Sequence, residues 1–338
     1  MEIICNKSNK TTRMRNHFKL IIALMLLCQL SFGQYTDVIN SNRPGQSVSA
    51  YSVGKTVIQL ESGINYIKQK HEQLDYKTSG AIYDLTMRYG LFKEELETVL
   101  DLSYQKDTYE TELDSKKRNG LKNATFGFKY LIYDPFKLNG EKKINVYSWK
   151  ANHKFNWKQF IPSVSGYLGA NLNFSSTSQF LYYPEGKISP FSPKAMIITQ
   201  HIFEGGYVFV TNIFCDRIGT PVQSLGYIAT LTKGFNDHWS AFIENKAIKG
   251  TYYSDGIFTG GAAYLFTKNL QLDASISANI KNTPSIMYGG IGISWRSDKN
   301  YKEVKIKNTK DDKKKGKDSK DKDKDKKKKR LDEVEVKP

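Results

Sequence analysis

Residues 269–280 read Asn-Leu-Gln-Leu-Asp-Ala-Ser-Ile-Ser-Ala-Asn-Ile and alternate without interruption. Leu270, Leu272, Ala274, Ile276, Ala278 and Ile280 fall on one face; Asn269, Gln271, Asp273, Ser275, Ser277 and Asn279 fall on the other. A period of two is a strand signal, because successive side chains of a strand point to opposite faces. Length decides which kind of strand. Strands of soluble domains run to roughly 5–6 residues, whereas a tilted strand crossing a bilayer takes about 9–11. One apolar and one polar face at that length suit a wall between lipid and water. The stretch predicts an all-β protein, an antiparallel transmembrane β-barrel.

The same alternation recurs upstream. Ile58, Leu60, Ile64 and Tyr66 oppose Gln59, Glu61, Gly63 and Asn65; Ala81, Tyr83, Leu85 and Met87 oppose Asp84, Thr86 and Arg88. Leu96, Leu100, Leu102 and Tyr104 oppose Glu95, Glu97, Asp101 and Ser103; Phe126, Phe128 and Tyr130 oppose Thr125, Gly127 and Lys129. Further candidates lie at 164–172, 195–203, 207–215, 224–232, 239–246, 257–266 and 286–295, of which 195–203, 207–215, 239–246 and 257–266 alternate less cleanly. The total is about twelve strands, an even number as single-chain bacterial barrels have. Connections 69–79, 106–119, 175–193 and 249–255 read as long and polar, and 90–93, 205–206, 234–237 and 267–268 as short. That asymmetry matches long extracellular loops and short periplasmic turns, and puts both termini in the periplasm. The connection 134–160 breaks the pattern; its Ile144-Asn145-Val146-Tyr147-Ser148-Trp149 reads either as an extra strand or as part of a periplasmic excursion.

Composition agrees with a barrel. Mean hydropathy is −0.53, and no apolar run reaches the roughly 18 residues that a spanning helix needs. Half of every barrel strand is polar, so a low average does not exclude the membrane. The chain has 21 Tyr and 18 Phe, ample for interfacial girdles. Its formal charge of +17 resides largely at the ends, so it does not argue for nucleic acid. Cys5 and Cys28 lie near the N-terminus and leave Cys215 alone in the mature chain, where one thiol builds neither a disulfide nor a cysteine metal site.

The organisation reads as four segments. Residues 1–33 form a signal peptide, with a basic start, an apolar stretch from Leu20 to Leu30 and the small Ser31 and Gly33 before the cleavage point. Residues 34–55 form an irregular polar segment, periplasmic or a plug, with a turn signal at Asn42-Arg43-Pro44-Gly45. Residues 56–296 form the barrel. Residues 297–338 form a Lys/Asp-rich tail; its part from 301 on holds 17 Lys and Arg against 10 Asp and Glu. With so little apolar surface to bury, the tail is expected to be disordered and solvated in the periplasm, or to meet an anionic partner there.

Ser41-Asn42-Arg43-Pro44-Gly45-Gln46-Ser47-Val48-Ser49-Ala50 is followed by Gln59-Leu60-Glu61-Ser62-Gly63, Arg88-Tyr89-Gly90-Leu91 and Asn269-Leu270-Gln271-Leu272-Asp273. Together, over about residues 36–296, these resemble the family of outer-membrane transporters linked to the meta-pathway of phenol degradation. The resemblance implies a porin-like outer-membrane barrel moving small hydrophobic or aromatic compounds. The acidic residue usual before the arginine in that family is Asn42 here, which weakens an ion pair at that point.

Glu61, Asp84, Arg88, Glu97, Asp101, Lys129, Glu244 and Asp273 alternate with apolar positions. Arg or Lys facing lipid at the midplane costs roughly 2–4 kcal/mol, so this face is expected to point into the lumen. Arg43, just ahead of the first strand, is the candidate for a plug that pairs with the acids. No cofactor or metal ligand set is legible, and the expected partners are membrane lipid and a small hydrophobic solute. Two alternatives remain: a structural or adhesive barrel, and a lipid hydrolase built on His238 and Ser240 with Glu244 further along the same face. No third group to orient such a pair is apparent.

Truncation after Asp298 is expected to leave folding and insertion intact, because the last strand ends at Trp295, an aromatic suited to the interface. Loss of the heat-modifiable folded band on a gel would count against this.

Overall fold

The computed structural model describes residues 38–136, 157–174, 180, 189–299 and 301. The expected signal peptide, the 144–149 segment and the tail from residue 302 lie outside them. Twelve strands make a closed barrel in which each pairs with its sequence neighbours and the last closes on the first. They are β1 (Ile58–His71), β2 (Tyr76–Gly90), β3 (Leu96–Thr111), β4 (Ser115–Tyr133), β5 (Ser163–Leu172) and β6 (Phe191–Phe203), followed by β7 (Tyr207–Asp216), β8 (Ser224–Gly234), β9 (Trp239–Gly250), β10 (Ser254–Thr267), β11 (Leu270–Asn279) and β12 (Ser285–Ser297). All pairs are antiparallel. Closure pairs each strand on both sides through the apolar belt, the condition for strands to sit in hydrocarbon; only the tall part of β4, before Thr125, rises beyond its partner β5. No helix among the described residues is long and apolar enough to cross a membrane.

Alternation converts directly into two surfaces. On β11, Ile276 is 55% exposed while Ser277 is 2% exposed. Around the barrel Ile64, Leu85, Phe128, Leu168, Ile197, Ile213, Ile243, Phe258 and Ile291 are exposed, whereas Glu61, Arg88, Thr125, Ser165, Asn212, Glu244 and Asp273 are buried. The exposed residues are apolar and the buried ones polar, the inverse of a water-soluble protein. This outward apolar belt identifies the fold as a transmembrane barrel of the outer-membrane type.

Two expectations are corrected. The connections at 69–79, 106–119 and 249–255 are mostly strand, and the true turns are 72–75, 112–114 and 251–253. Residues with polar side chains on both faces cannot signal burial, yet their backbones still pair, so the hairpins continue past the apolar belt. β1 to β4 accordingly run to 14, 15, 16 and 19 residues. The asymmetry between the two rims is therefore carried by strand length as well as by loops. Second, not every inward position is polar. Val99, Tyr167, Met196, Ile198, Val210, Phe214 and Ile228 form an apolar cluster inside the barrel, along the wall from β3 through β5–β8. β6 and β7 alternate poorly for this reason: Ile197 and Ile213 meet the outside while Ile198 and Val210 pack within.

Because Ile276 points outward and Ser275 inward between Gly261 and Gly290, their lysine variants should behave differently. Ile276→Lys is expected to destabilise the barrel by roughly 2–4 kcal/mol if it meets lipid near mid-depth, and Ser275→Lys by far less. Equal tolerance in urea unfolding from bilayers would sink the assignment of faces.

Candidate functional site

Residues 38–57 have no regular secondary structure, and they run inside the barrel. A buried backbone without helix or sheet must find other partners for its N–H and C=O groups. Wall side chains supply most of them. Ile39 N donates to Lys268 O at 2.8 Å, and Arg296 Nη1 donates to Val38 O at 3.1 Å. Asn42 N donates to Glu61 at 3.2 Å, and Gln46 N and Ser47 N both donate to Glu244, at 3.0 and 3.2 Å. Asn212 on β7 mimics a strand: its Oδ1 accepts from Val48 N at 2.6 Å and its Nδ2 donates to Val48 O at 2.9 Å. Ala50 N donates to Gln200 Oε1 at 3.0 Å, Ser165 Oγ donates to Ala50 O at 2.5 Å, and the Tyr51 hydroxyl bonds Ser163 at 2.7 Å. Val53 N completes the circuit to Glu97 at 2.8 Å. The segment thereby touches the wall from β11 and β12, through β9, β7, β6 and β5, back to β3 and β1.

Charge concentrates where the segment turns back toward β1. Arg88 is fully buried and donates to both oxygens of Glu97 at 3.1 Å, to Asn40 O at 2.7 Å and to Tyr51 O at 3.2 Å, with Glu61 at 3.5 Å. Lys129 Nζ reaches Glu97 at 2.7 Å, Ser49 O at 2.7 Å and Tyr51 O at 2.8 Å. Glu97 thus lies between two cations and also accepts a backbone N–H. Buried ions hold together only when their remaining donors and acceptors are met, and here the segment's carbonyls meet them. The two parts are mutually dependent. Burial, with the Asp134 charge adding to it, pushes the Tyr51 phenol above its ordinary range, so it serves as a neutral hydrogen-bonding group.

Arg43 occupies a slot of its own. Its Nη2 pairs with Asp273 Oδ1 at 3.1 Å, and its carbonyl accepts from Gln271 Nε2 at 3.1 Å. The guanidinium lies against Gly63 of β1 and Gly292 of β12, which are register partners, and a Cβ on either glycine would run into it. Asp273 faces Gly292 across the β11–β12 pair. Asn42, where the resembled family carries an acid, closes a local loop by accepting from Ser49 N at 3.0 Å. At the exit, Gly54 adopts φ of +94°, and its carbonyl sits where Gly90 would carry a Cβ. Opposite the polar contacts, Val48 and Ala50 pack on the inner apolar cluster.

Of the eight inward charges read from sequence, Glu61, Arg88, Glu97, Lys129, Glu244 and Asp273 contact residues 38–57 directly. Asp84 and Asp101 instead bond wall residues: Asn65 and Ser103 for the first, Thr86 for the second. Gln200, Asn212, Ser163 and Ser165 also bond the segment, and a search for inward charges passes over them because they are neutral. Gln200 and Asn212, the one side-chain amide in each of β6 and β7, were the available signal. The hydrolase grouping does not assemble. His238 lies in a turn with Nδ1 2.9 Å from Leu265 O, and Glu244 is occupied by Gln46 and Ser47. Among the described residues no group of His, Cys, Asp and Glu is placed to hold a metal ion.

The Arg43–Asp273 pair should be coupled. A cycle of Arg43→Ala, Asp273→Ala and the double variant is expected to show roughly 0.5–3 kcal/mol of interaction in urea unfolding. Gly292→Val should mimic Arg43→Ala by displacing the guanidinium. Additive single effects would mean that the pair contributes nothing of its own.

No curated protein matches this sequence. Among solved structures, the translocator domain of the autotransporter NalP from Neisseria meningitidis is 10% identical, with a TM-score of 0.41, over 86% of this chain and 98% of its own. An outer membrane channel from Pseudomonas putida F1 is 8% identical, with a TM-score of 0.45, over 77% of this chain and 100% of its own. The CymD monoaromatic hydrocarbon channel is 9% identical, with a TM-score of 0.38, over 72% of this chain and 88% of its own. The barrel assignment rests on this chain's own strand pairing. Residues 41–297, from just before Arg43 to the last residue of β12, match the family model described as "Putative MetA-pathway of phenol degradation", and the chain belongs to that family.

Proposed function

We propose that the protein is an outer-membrane channel for small neutral or aromatic solutes, closed at rest by residues 38–57, with both termini in the periplasm. The observation that carries the reading is the packing of this one segment. It is hydrogen-bonded around the bore on its polar side and packed through Val48 and Ala50 on an apolar inner wall. A barrel of this strand number is wider than the roughly eight-stranded kind that side chains alone can fill, so a bore remains for a segment to occupy. Moving the segment aside uncovers a wall that is charged along β1–β4 and, along β5–β8, carries an apolar cluster among neutral hydroxyls and amides. Tyr167, Met196 and Phe214 then line one side of the path, a surface that suits an aromatic ring. The family description, which concerns phenol degradation, favours the same solute class.

The orientation rests on the hairpins. Both barrel ends, Ile58 and Ser297, lie at the rim that also holds turns 204–206, 235–238 and 268–269, and β1–β4 extend past the apolar belt at the other rim. The rim of the barrel ends also holds the long 134–162 connection; the other turns there are short, and short turns at one rim with tall hairpins at the other are the arrangement of barrels whose termini are periplasmic.

Single-channel recording tests the proposal. The intact protein is expected to conduct little, and deletion of residues 36–54 to produce a clear gain, with uptake of a neutral aromatic solute rising in the same order. Large steady conductance of the intact barrel would indicate a general porin. No conductance in either form would favour a structural or adhesive barrel.

A further inference from the structure

The outer surface is uneven above the apolar belt. On β1–β4 the outward side chains pass from apolar residues through Tyr66, Tyr83 and Tyr104 to Lys68, Lys70, Lys77, Lys106 and Lys117, all of them exposed. Strand register gathers the lysines into one face. Lys70 is opposite Lys77; Lys68 is opposite Ser79, which is opposite Thr108, which is opposite Lys117. Lys106 sits beside Ala81 and Asn119, one row nearer the belt. Glu110 lies opposite Lys77, in the row of Lys70, while Glu72, Asp75, Glu112 and Asp114 lie further out in the turns. Among the described residues only Lys70 of the five has an ion-pair partner, Glu72 at 3.6 Å, and that pair is well exposed. The matching outward positions of β10 to β12, including Ser254, Gly256, Ile280, Ser285 and Met287, carry no charge.

Height gives this asymmetry its meaning. A lysine in open water gains little from its neighbours, but one just above the tyrosine row sits at the level of lipid headgroups. Lys68 Nζ lies over the Tyr66 ring, 5.9 Å from its centroid. Ser79, Thr108 and Asn119 put hydroxyl and amide donors between the ammonium groups. Clustered cations with interspersed neutral donors, continuous with the lipid-facing belt, complement phosphate groups held at the membrane surface. We infer that this face of β1–β4 docks the phosphorylated glycolipid of the outer leaflet, its phosphates on Lys68, Lys106 and Lys117 and its acyl chains on the belt below. The inference rests on the proposed orientation, which turns these hairpins outward.

Native mass spectrometry and lipid titration of the detergent-folded full chain test it, with bisphosphorylated lipid A, its dephosphorylated form and phosphatidylglycerol as probes. The intact protein should hold bisphosphorylated lipid A in preference to both others. The Lys68→Gln, Lys106→Gln, Lys117→Gln triple variant should bind it about tenfold or more weakly, and lose most of the salt dependence. The corresponding triple arginine variant should restore binding, and Lys93→Gln at the opposite rim should leave it unchanged. Undiminished binding by the triple glutamine variant, or equal binding of all three lipids, overturns the inference. The orientation is checked separately by labelling Leu74→Cys, in a Cys215→Ser background, on whole cells with an impermeant reagent. Labelling supports it. Protection would overturn the orientation and the outer-leaflet assignment, while the detergent titration still reports on the lysine face itself.

Discussion

An irregular backbone inside a closed barrel has to have its amides and carbonyls met, and this requirement organises the interior. The wall strands use most of their backbone groups on one another, so between the backbone bonds that Ile39, Thr56 and Val57 make at its ends, the segment is served by wall side chains. Glu61, Glu97, Gln200, Asn212, Glu244 and Asp273 come from different strands yet act alike, since each accepts from the segment or pairs with its arginine. Arg88 and Lys129 do the converse and donate to its carbonyls. A wall residue removed from this circuit leaves a buried donor or acceptor unmet, which costs more than the bond itself contributed.

The dependence runs in both directions. Without the segment, Arg88 and Lys129 keep Glu97 but lose the carbonyls of Asn40, Ser49 and Tyr51. Water entering the bore would replace those carbonyls at modest cost. In the proposed channel this would let the segment be well bonded and still leave: its hydrogen bonds exchange for hydration, whereas strand pairing in hydrocarbon has nothing to exchange with. The apolar contact of Val48 and Ala50 with the β5–β8 wall is different, since water does not replace it. A ring-bearing solute could. In the proposed channel the polar half of the contact sets register, and the apolar half is where a solute would compete.

Outside, the same chain meets three environments in sequence along β1–β4: acyl chains at Ile64 and Leu85, the interface at Tyr66 and Tyr104, and a charged layer at Lys68 and Lys106. The hairpins persist through all three because backbone pairing does not depend on what the side chains face. That explains why polar stretches such as 69–79 and 106–119, which look like loops, are largely strand.

The barrel itself was legible in the sequence because lipid outside and polar groups inside impose a period of two, and β11 shows that period without fault. Strand number, the outward set and the inward placement of Glu61, Arg88, Glu97, Lys129, Glu244 and Asp273 follow from it. Arg43 could be singled out from its position and charge. Its partner could not, because Asp273 lies 230 positions away and only closure of β12 on β1 brings the two together with Gly63 and Gly292. The blurred patterns of β6 and β7 concealed an inner apolar wall: a strand covered by lipid on one face and by Val48 and Ala50 on the other has no reason to alternate. Periodicity reports which side of a strand is wet. Which side chains meet across the bore, and where that bore is dry, depends on barrel closure and on the path of the segment within it, and tertiary structure alone decided both.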